Sequence, residues 1–249
     1  MKITIAGYGF VGKAHAEILK THFEINIVDP KINLYKISDT DTEAVIVCVS
    51  TPEDKTGACN INNVYEVIRD TDPTTPVLIK STISLEGWLH LKESFPNHSL
   101  TFSPEFLKAA TAEEDFRNTK YMYYGGDDIA FWEELFKQVF PKVSSVHMQA
   151  EELILAKYFR NAFLATKVSF FNQVYDMCRA FEIDYNNVAA GIGMDPRIGT
   201  SHTEVTAARG WGGHCFPKDA AAILHTAELE GVDLSIIREA VEYNKLIRK

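Results

Sequence analysis

KITIAGYGFVGKAHAEILK, residues 2–20, changes rhythm within its first turn. Residues 2–6 are a short apolar run rich in β-branched side chains, which predicts a buried strand. Glycines at 7, 9 and 12 follow at once, and the apolar spacing then becomes helical through Lys20. In that frame the turn Gly7-Tyr8-Gly9-Phe10-Val11-Gly12 lets backbone approach a pyrophosphate, whose charge is met by the helix N-terminus. Asp29 ends a second apolar run, INIVD, 20 residues past Gly9. A carboxylate there accepts from ribose hydroxyls and repels a 2′-phosphate, so the expected cofactor is NAD rather than NADP. A glycine turn without a ligand is the other reading, but strand, helix and acidic residue together favour the dinucleotide.

The same alternation continues outward from this unit. AVIVCVS (44–50) and PVLIKST (76–82) predict a third and fourth strand, with a helix over NNVYEVIRD (62–70) between them. SLEGWLHLKESF (84–95) is a weaker helix because Gly87 interrupts it. Weaker strands are expected at 100–103 and 121–125, then a helix near 128–140 and a strand near 143–148. Strands alternating with helices argue for an α/β, Rossmann-type doubly wound parallel sheet covered on both faces. Thr51 with Pro52, and Thr82, stand just past strand ends, where ligands lie in such sheets. They are also ordinary turn residues.

From Glu151 to about Phe181 there is neither Gly nor Pro, and apolar residues recur at helical spacing. One long helix is expected there, and helical signals dominate the remainder. The expected domains are therefore 1–148, a cofactor-binding sheet, and 149–249, an all-helical unit. The long helix carries apolar groups around most of its girth, including Phe159, Phe163, Phe170 and Phe171. That exceeds what one small domain covers and predicts a homodimer through this helix.

Bulk composition narrows the function classes. Hydrophobic residues are 46% and charged residues 24% of 249, with net charge −9. There is no Lys/Arg run, so a nucleic-acid partner is not expected, and nothing suits a membrane span or signal peptide. Four cysteines, at 48, 59, 178 and 215, show neither metal spacing nor a CxxC pair, and no metal is expected. A reduced, cytoplasmic, soluble protein is the expectation.

GWGGHCFPKDAA, residues 210–221, holds one of those cysteines among glycines. Pro217 suits the first residue of a helix running to Glu230, which would place Cys215 just before its N-terminus. The dipole and Lys218 would then favour thiolate, and Gly212 and Gly213 would leave room for a substrate. The spacing alone fits equally a small apolar cysteine packed under a glycine loop. Cys48 lies inside a strand and is expected in the core.

With these residues in hand the chain resembles the UDP-glucose/GDP-mannose 6-dehydrogenase family. The cofactor half carries GYGFVG, VDP, CVSTP, KSTIS and SPEFLKAATAEEDF; KYFRNAFLATKVSFFNQV matches the family's long central helix. GIGMDPRIG and GWGGHCFPKDA match its substrate loops and nucleophile. The resemblance implies an NAD-dependent enzyme that oxidises the C6 alcohol of a nucleotide sugar to a uronic acid. Two hydrides leave in succession while the sugar stays on Cys215 as a thiohemiacetal and then a thioester.

The resemblance also assigns roles. Lys157 and Asn161, four apart on one helix face, would stabilise the oxygen where charge develops. Glu105 would be the base for thioester hydrolysis, and Asp219 would orient a water or lysine beside the cysteine. Thr82 joins the catalytic set, and Arg197 would cross a dimer interface to the substrate. Phe106, Leu107, Gly210, Trp211 and Gly212 would line the substrate site.

Three features depart from the family pattern. Ala109 stands where members commonly carry a second glutamate lining the nicotinamide. His214 stands where glucose-type members usually have serine. The chain stops at Lys249, where members continue into a third, nucleotide-binding domain, so a short form lacking that domain is expected, with a separate partner chain supplying the grip as one reading. Two rivals follow: a dehydrogenase of a smaller hydroxyl substrate, and a non-catalytic NAD-binding subunit.

Overall fold

The computed structural model describes residues 1–33, 35–213 and 215–249. Two compact units emerge. The first comprises Met1–Asp54 and Cys59–Lys157, the second Lys55–Ala58 and Tyr158–Lys249. The expected boundary at 148/149 falls at the start of the long helix, whereas this division by compactness falls inside it.

In the first unit, among the described residues, seven strands form one sheet in the order β2-β1-β3-β4-β5-β6-β7. They are β1 (Lys2–Ala6), β2 (Glu24–Val28), β3 (Ala44–Val47), β4 (Val77–Ile79), β5 (Leu100–Phe102), β6 (Tyr121–Gly126) and β7 (Ser144–His147). Each overlaps a stretch that the sequence predicts as a strand. The pairing is parallel from β2 through β5. β6 then pairs antiparallel with β5 and parallel with β7, which departs from the all-parallel expectation. Reversed strands at the edge of a mostly parallel sheet are common, and hydrophobic periodicity does not encode strand direction.

The helices of this unit are α1 (Phe10–Leu19), α2 (Asn62–Arg69), α3 (Leu85–Ser94), α4 (Ala112–Arg117) and α5 (Ile129–Val139). One core cluster joins Ile3, Ile5, Ala44, Ile46 and Leu78 of the sheet to Ile18 and Leu19 of α1, Phe116 of α4 and Trp132 and Phe136 of α5. The alternate strand residues Val45, Val47, Val77 and Ile79 are as deeply buried, so both sheet faces are covered. Gly87 does not break α3. Ser84 caps the helix by accepting from the Gly87 N–H at 3.1 Å, and a Cβ on Gly87 would meet Ile61 at 3.0 Å. The glycine is a packing requirement there.

α6 (Ala150–Ala180) is the expected long helix, 31 residues without a break. Its first turns belong to the sheet unit, where Trp88 Nε1 donates to Glu151 at 2.9 Å. The second unit adds α7 (Tyr185–Gly193), α8 (Cys215–Leu229) and α9 (Ser235–Ile247). Its core joins Ala165 and Val168 of α6 to Trp211, Ala220 and the flanking Phe216 and Val241. Among the described residues no helix is long and apolar enough to cross a membrane.

Candidate active site

β1 is flanked by β2 on one side and β3 on the other, so the chain reverses direction of winding at the carboxyl end of β1. Such a switch point opens a crevice, and the glycine turn occupies it. Gly7 has φ +90°, and a Cβ there would lie 2.6 Å from the Cys48 carbonyl oxygen at the end of β3. A Cβ on Gly12 would lie 1.9 Å from the Gly7 oxygen. Both positions therefore require glycine. Gly9, the N-cap of α1, has open space around its Cβ position and no side-chain cap. The first N–H groups of α1 are left for an anion, which fits a pyrophosphate. Tyr8 is half-buried, Phe10 is exposed and Val11 half-buried at the helix start.

Asp29 is tied to this turn. Its Oδ2 accepts from the Tyr8 N–H at 2.7 Å and its Oδ1 from the Lys31 N–H at 2.8 Å. The carboxylate is thus fixed in direction, with lone pairs left for ribose hydroxyls. Thr51 is buried and Pro52 exposed beyond β3; Thr82 is half-buried beyond β4, its carbonyl accepting from the Cys59 thiol at 3.5 Å.

Glu105 lies among charges that the sequence reading does not single out. Its Oε1 is 2.5 Å from Lys80 Nζ and 3.2 Å from His15 Nε2. Lys80 Nζ also donates to Ser103 Oγ at 2.9 Å. The His15 contact has ion-pair distance without hydrogen-bond geometry; the ring's Nδ1 sits 2.9 Å from the Val11 carbonyl. Burial alone would raise the Glu105 carboxyl, but the Lys80 ammonium and then His15 outweigh it and hold it down to about 2. A carboxylate so stabilised stays ionised at neutral pH. Its main-chain carbonyl accepts from Lys157 Nζ at 2.9 Å. Phe106 packs edge-on to Tyr123 at 5.5 Å, and Leu107 packs against the sheet core. Lys80, Glu105, Phe106 and Leu107 line a small cavity of about 120 Å³ in this unit. Ala109 begins a short 3-10 turn.

In the second unit Cys215 is the first residue of α8 rather than the residue before it, and Pro217 is third, not first. Proline fits anywhere in a first turn because those N–H groups have no intrahelical acceptor. Of the four cysteines Cys215 is exposed, Cys59 and Cys178 are buried and Cys48 is half-buried against the sheet core. Burial pushes the Cys48 thiol well above its ordinary range. Asp219, 1% exposed, accepts from Asn161 Nδ2 at 2.6 Å and pairs with Lys218 Nζ at 2.5 Å. Lys218 is thereby committed to Asp219, which reduces the field it was expected to lend the thiol. His214 lies outside the described residues.

The loop before Cys215 is fastened from two helices. Buried Asn172 of α6 accepts from Arg209 Nε at 2.8 Å and from the Gly210 N–H at 3.1 Å. Trp211 Nε1 donates to Ser169 at 2.9 Å. From α9, Asn244 binds both backbone groups of Trp211, and Arg248, just past the end of that helix, donates to the Arg209 carbonyl at 2.8 Å. Gly212 faces Arg248, whose guanidinium would be 2.7 Å from an added Cβ. Arg197 forks onto Asp195 of its own chain, Nη2 to Oδ2 at 2.5 Å, and is exposed. Lone Lys, His and Asn on otherwise apolar strand or helix faces were the available signal for Lys80, His15, Asn172 and Asn244.

Comparison with known proteins bears on this arrangement. Residues 150–246 match the UDP-glucose/GDP-mannose dehydrogenase family, central domain. The UDP-glucose 6-dehydrogenase of Rickettsia felis is 29% identical over 243 residues, covering 92% of this chain and 53% of that protein. The chain thus spans about half the length of the curated relatives it matches. In fold it resembles a UDP-glucose dehydrogenase from Pyrobaculum islandicum, with TM-score 0.85 and 24% identity over 98% of this chain and 68% of that one. It also resembles the 3-hydroxyisobutyrate dehydrogenase of Mycobacterium tuberculosis, with TM-score 0.77 and 14% identity over 98% of this chain and 93% of that one. Residues 150–246 are a central domain of the UDP-glucose/GDP-mannose dehydrogenase family, and the chain is a homologue of UDP-glucose 6-dehydrogenases over about half their length.

Proposed function

We propose that this chain oxidises the C6 alcohol of a nucleotide sugar to the uronic acid, with Cys215 as covalent nucleophile. The observation that carries the reading is the exposed thiol at the first turn of α8, in a chain whose other three thiols are buried or half-buried. The family match supports it, and so does the glycine turn with Asp29 at the sheet's switch point.

Bound NAD would supply the oxidant. The protein's part begins with the sugar alcohol, which loses a proton and a hydride to become an aldehyde. The Cys215 sulfur then adds to the carbonyl carbon to give a thiohemiacetal. Lys157 and Asn161, one turn apart on α6, donate to the sugar oxygen as its charge grows. Asp219 holds the Asn161 amide by accepting from its Nδ2, which leaves the orientation of that amide set before substrate arrives. The second oxidation converts the thiohemiacetal to a thioester, and water releases the carboxylate and the free thiol. Arg197, Gly210, Trp211 and Gly212 are the proposed substrate residues of the second unit, and Phe106 and Leu107 those of the first. Thr51, Pro52 and Thr82 border the cofactor.

The active species is proposed to be a homodimer. Phe163, Phe170 and Met177 recur at seven-residue spacing on α6 and are 66%, 54% and 62% exposed. A stripe of that size is costly to leave in water.

An assay of NADH release across a panel of nucleotide sugars tests the reading, which expects two NADH per sugar consumed. One NADH per molecule, with a small hydroxy acid as the better substrate, would favour the second reading. That reading is a two-domain dehydrogenase, supported by the fold likeness over 93% of the hydroxyisobutyrate enzyme. Bound NAD with no release from any substrate would indicate a non-catalytic subunit.

A further inference from the structure

Arg209 and Gly210 are consecutive residues in the left-handed backbone region, with φ +56° and +52°. Glycine adopts that conformation freely, whereas a residue with a Cβ is strained in it. Arg209 is therefore an unfavourable residue for the turn that enters the loop 210–213, unless its side chain compensates.

That side chain lies along α6, and only 14% of it is exposed. Its Nε donates to Asn172 Oδ1 at 2.8 Å and its Nη2 to Asp176 Oδ2 at 2.8 Å. Its Cζ stands 4.8 Å from the centre of the Tyr175 ring. Residues 172, 175 and 176 share one face of the helix. Two more helices join the group. Tyr243 of α9 donates its hydroxyl to Asp176 at 3.0 Å, and Tyr175 packs edge-on to Tyr185 of α7, ring centroids 5.3 Å apart.

Asn172 converts this grip into backbone geometry. It is fully buried, and its Nδ2 donates to the Val168 carbonyl at 2.9 Å, so its own helix fixes the direction of the amide. Its Oδ1 then accepts from Arg209 Nε and from the Gly210 N–H together. One oxygen thus pins the side chain of the first left-handed residue and the backbone of the second. The ion pair with exposed Asp176 adds little by itself. The bond to a buried, pre-aimed amide sets direction.

We propose that Arg209 is a positioning residue, which locks the turn into the loop 210–213 before substrate arrives, so that this loop and Cys215 are presented in one arrangement. The proposal rests on the reading of Cys215 as nucleophile given above. Three of the four loop residues are glycine, so an unlocked loop would have to be ordered during the reaction.

Arg209→Gly and Arg209→Lys test it. Glycine removes the grip yet adopts the same turn without strain. Lysine keeps the charge and loses the fork that reaches Asn172 and Asp176 at once. Arg209→Gly should melt within about 5 °C of wild type. Its Cys215 should react with iodoacetamide at the wild-type rate, because a small reagent needs only the exposed thiol. Sugar oxidation should nevertheless slow about ten-fold or more, mainly in kcat rather than KM, and Arg209→Lys should show most of the same loss. The Gly210 amide should exchange with deuterium about ten-fold faster, while amides inside α8 and α9 keep their protection. Wild-type kcat in Arg209→Gly overturns the proposal. So does a loss accompanied by a much lower melting temperature and faster exchange throughout the helices, which marks a merely structural residue. Should Arg209→Gly not fold, Arg209→Lys carries the same comparison. If the wild-type protein oxidises no sugar, the functional reading fails by itself. The Gly210 exchange rate then decides the positioning claim, and unchanged protection in the variant overturns it.

Discussion

Asn244 brackets Trp211: its Oδ1 accepts from the Trp211 N–H at 2.7 Å and its Nδ2 donates to the Trp211 carbonyl at 3.0 Å. One side-chain amide thereby satisfies both backbone groups of a buried loop residue four positions before Cys215. Asn172 does similar work from α6, so the glycine-rich loop is held without regular structure of its own.

Asn244→Ala should cost about 1–3 kcal/mol, the penalty for leaving buried backbone groups unpaired. Gly210→Ala should destabilise as well, since φ is +52° there and the added Cβ would lie 2.1 Å from Asn244 Oδ1. Urea unfolding measures both. An Asn244→Ala protein as stable as wild type would show that the bracket contributes little.

Acid should expose the Glu105 cluster. The carboxyl is held down to about 2 from an ordinary 4.5, so its folded form binds protons less readily than its unfolded form. The stability it contributes is present above 4.5 and is lost as pH falls through 2. Wild-type unfolding free energy should therefore decline across that window. Glu105→Gln should be less stable at neutral pH, because Lys80 loses its counter-charge, yet flatter in the acid range. Equal acid slopes for the two proteins would contradict the buried pairing.

Asp29 should make the protein prefer NAD to NADP, because a fixed carboxylate beside the ribose repels a 2′-phosphate. Calorimetric titration checks this directly. Asp29→Ala should weaken NAD binding about ten-fold or more, losing charged hydrogen bonds of roughly 1.5–3 kcal/mol. Tighter binding of NADP by the wild-type chain would refute the assignment.

The exposed stripe on α6 predicts that Phe163→Glu or Phe170→Glu converts dimer to monomer at micromolar concentration. Light scattering reads the mass. A wild-type chain that is already monomeric would remove the basis for a partner-contributed Arg197.

The sheet was legible because β1, β3 and β4 lie in apolar runs with turn residues between them, and the glycine turn was legible from its spacing. α4 was not, since its six residues bury only Ala112 and Phe116, too few to show a helical period. The direction of β6 leaves no trace in a two-residue alternation. Cys215, Lys157, Asn161 and Asp219 stood out through motif spacing and resemblance. The Lys80–Glu105–His15 cluster did not, because its members come from β4, the segment after β5, and α1, and only the fold assembles them. The pairing of Lys218 with its sequence neighbour Asp219 is likewise a feature that spacing alone does not show.

The central claim is that Cys215 carries the sugar. Acid-quenched turnover with the best nucleotide sugar, digested and examined by peptide mass spectrometry, should show a sugar adduct on the Cys215 peptide during the steady state. The same peptide should react with iodoacetamide faster than those of Cys48, Cys59 or Cys178, as the exposed thiol among four. Cys215→Ser should bind NAD and release at most one NADH per sugar. Two NADH per sugar with no adduct, and full activity retained in Cys215→Ser, would contradict the covalent mechanism.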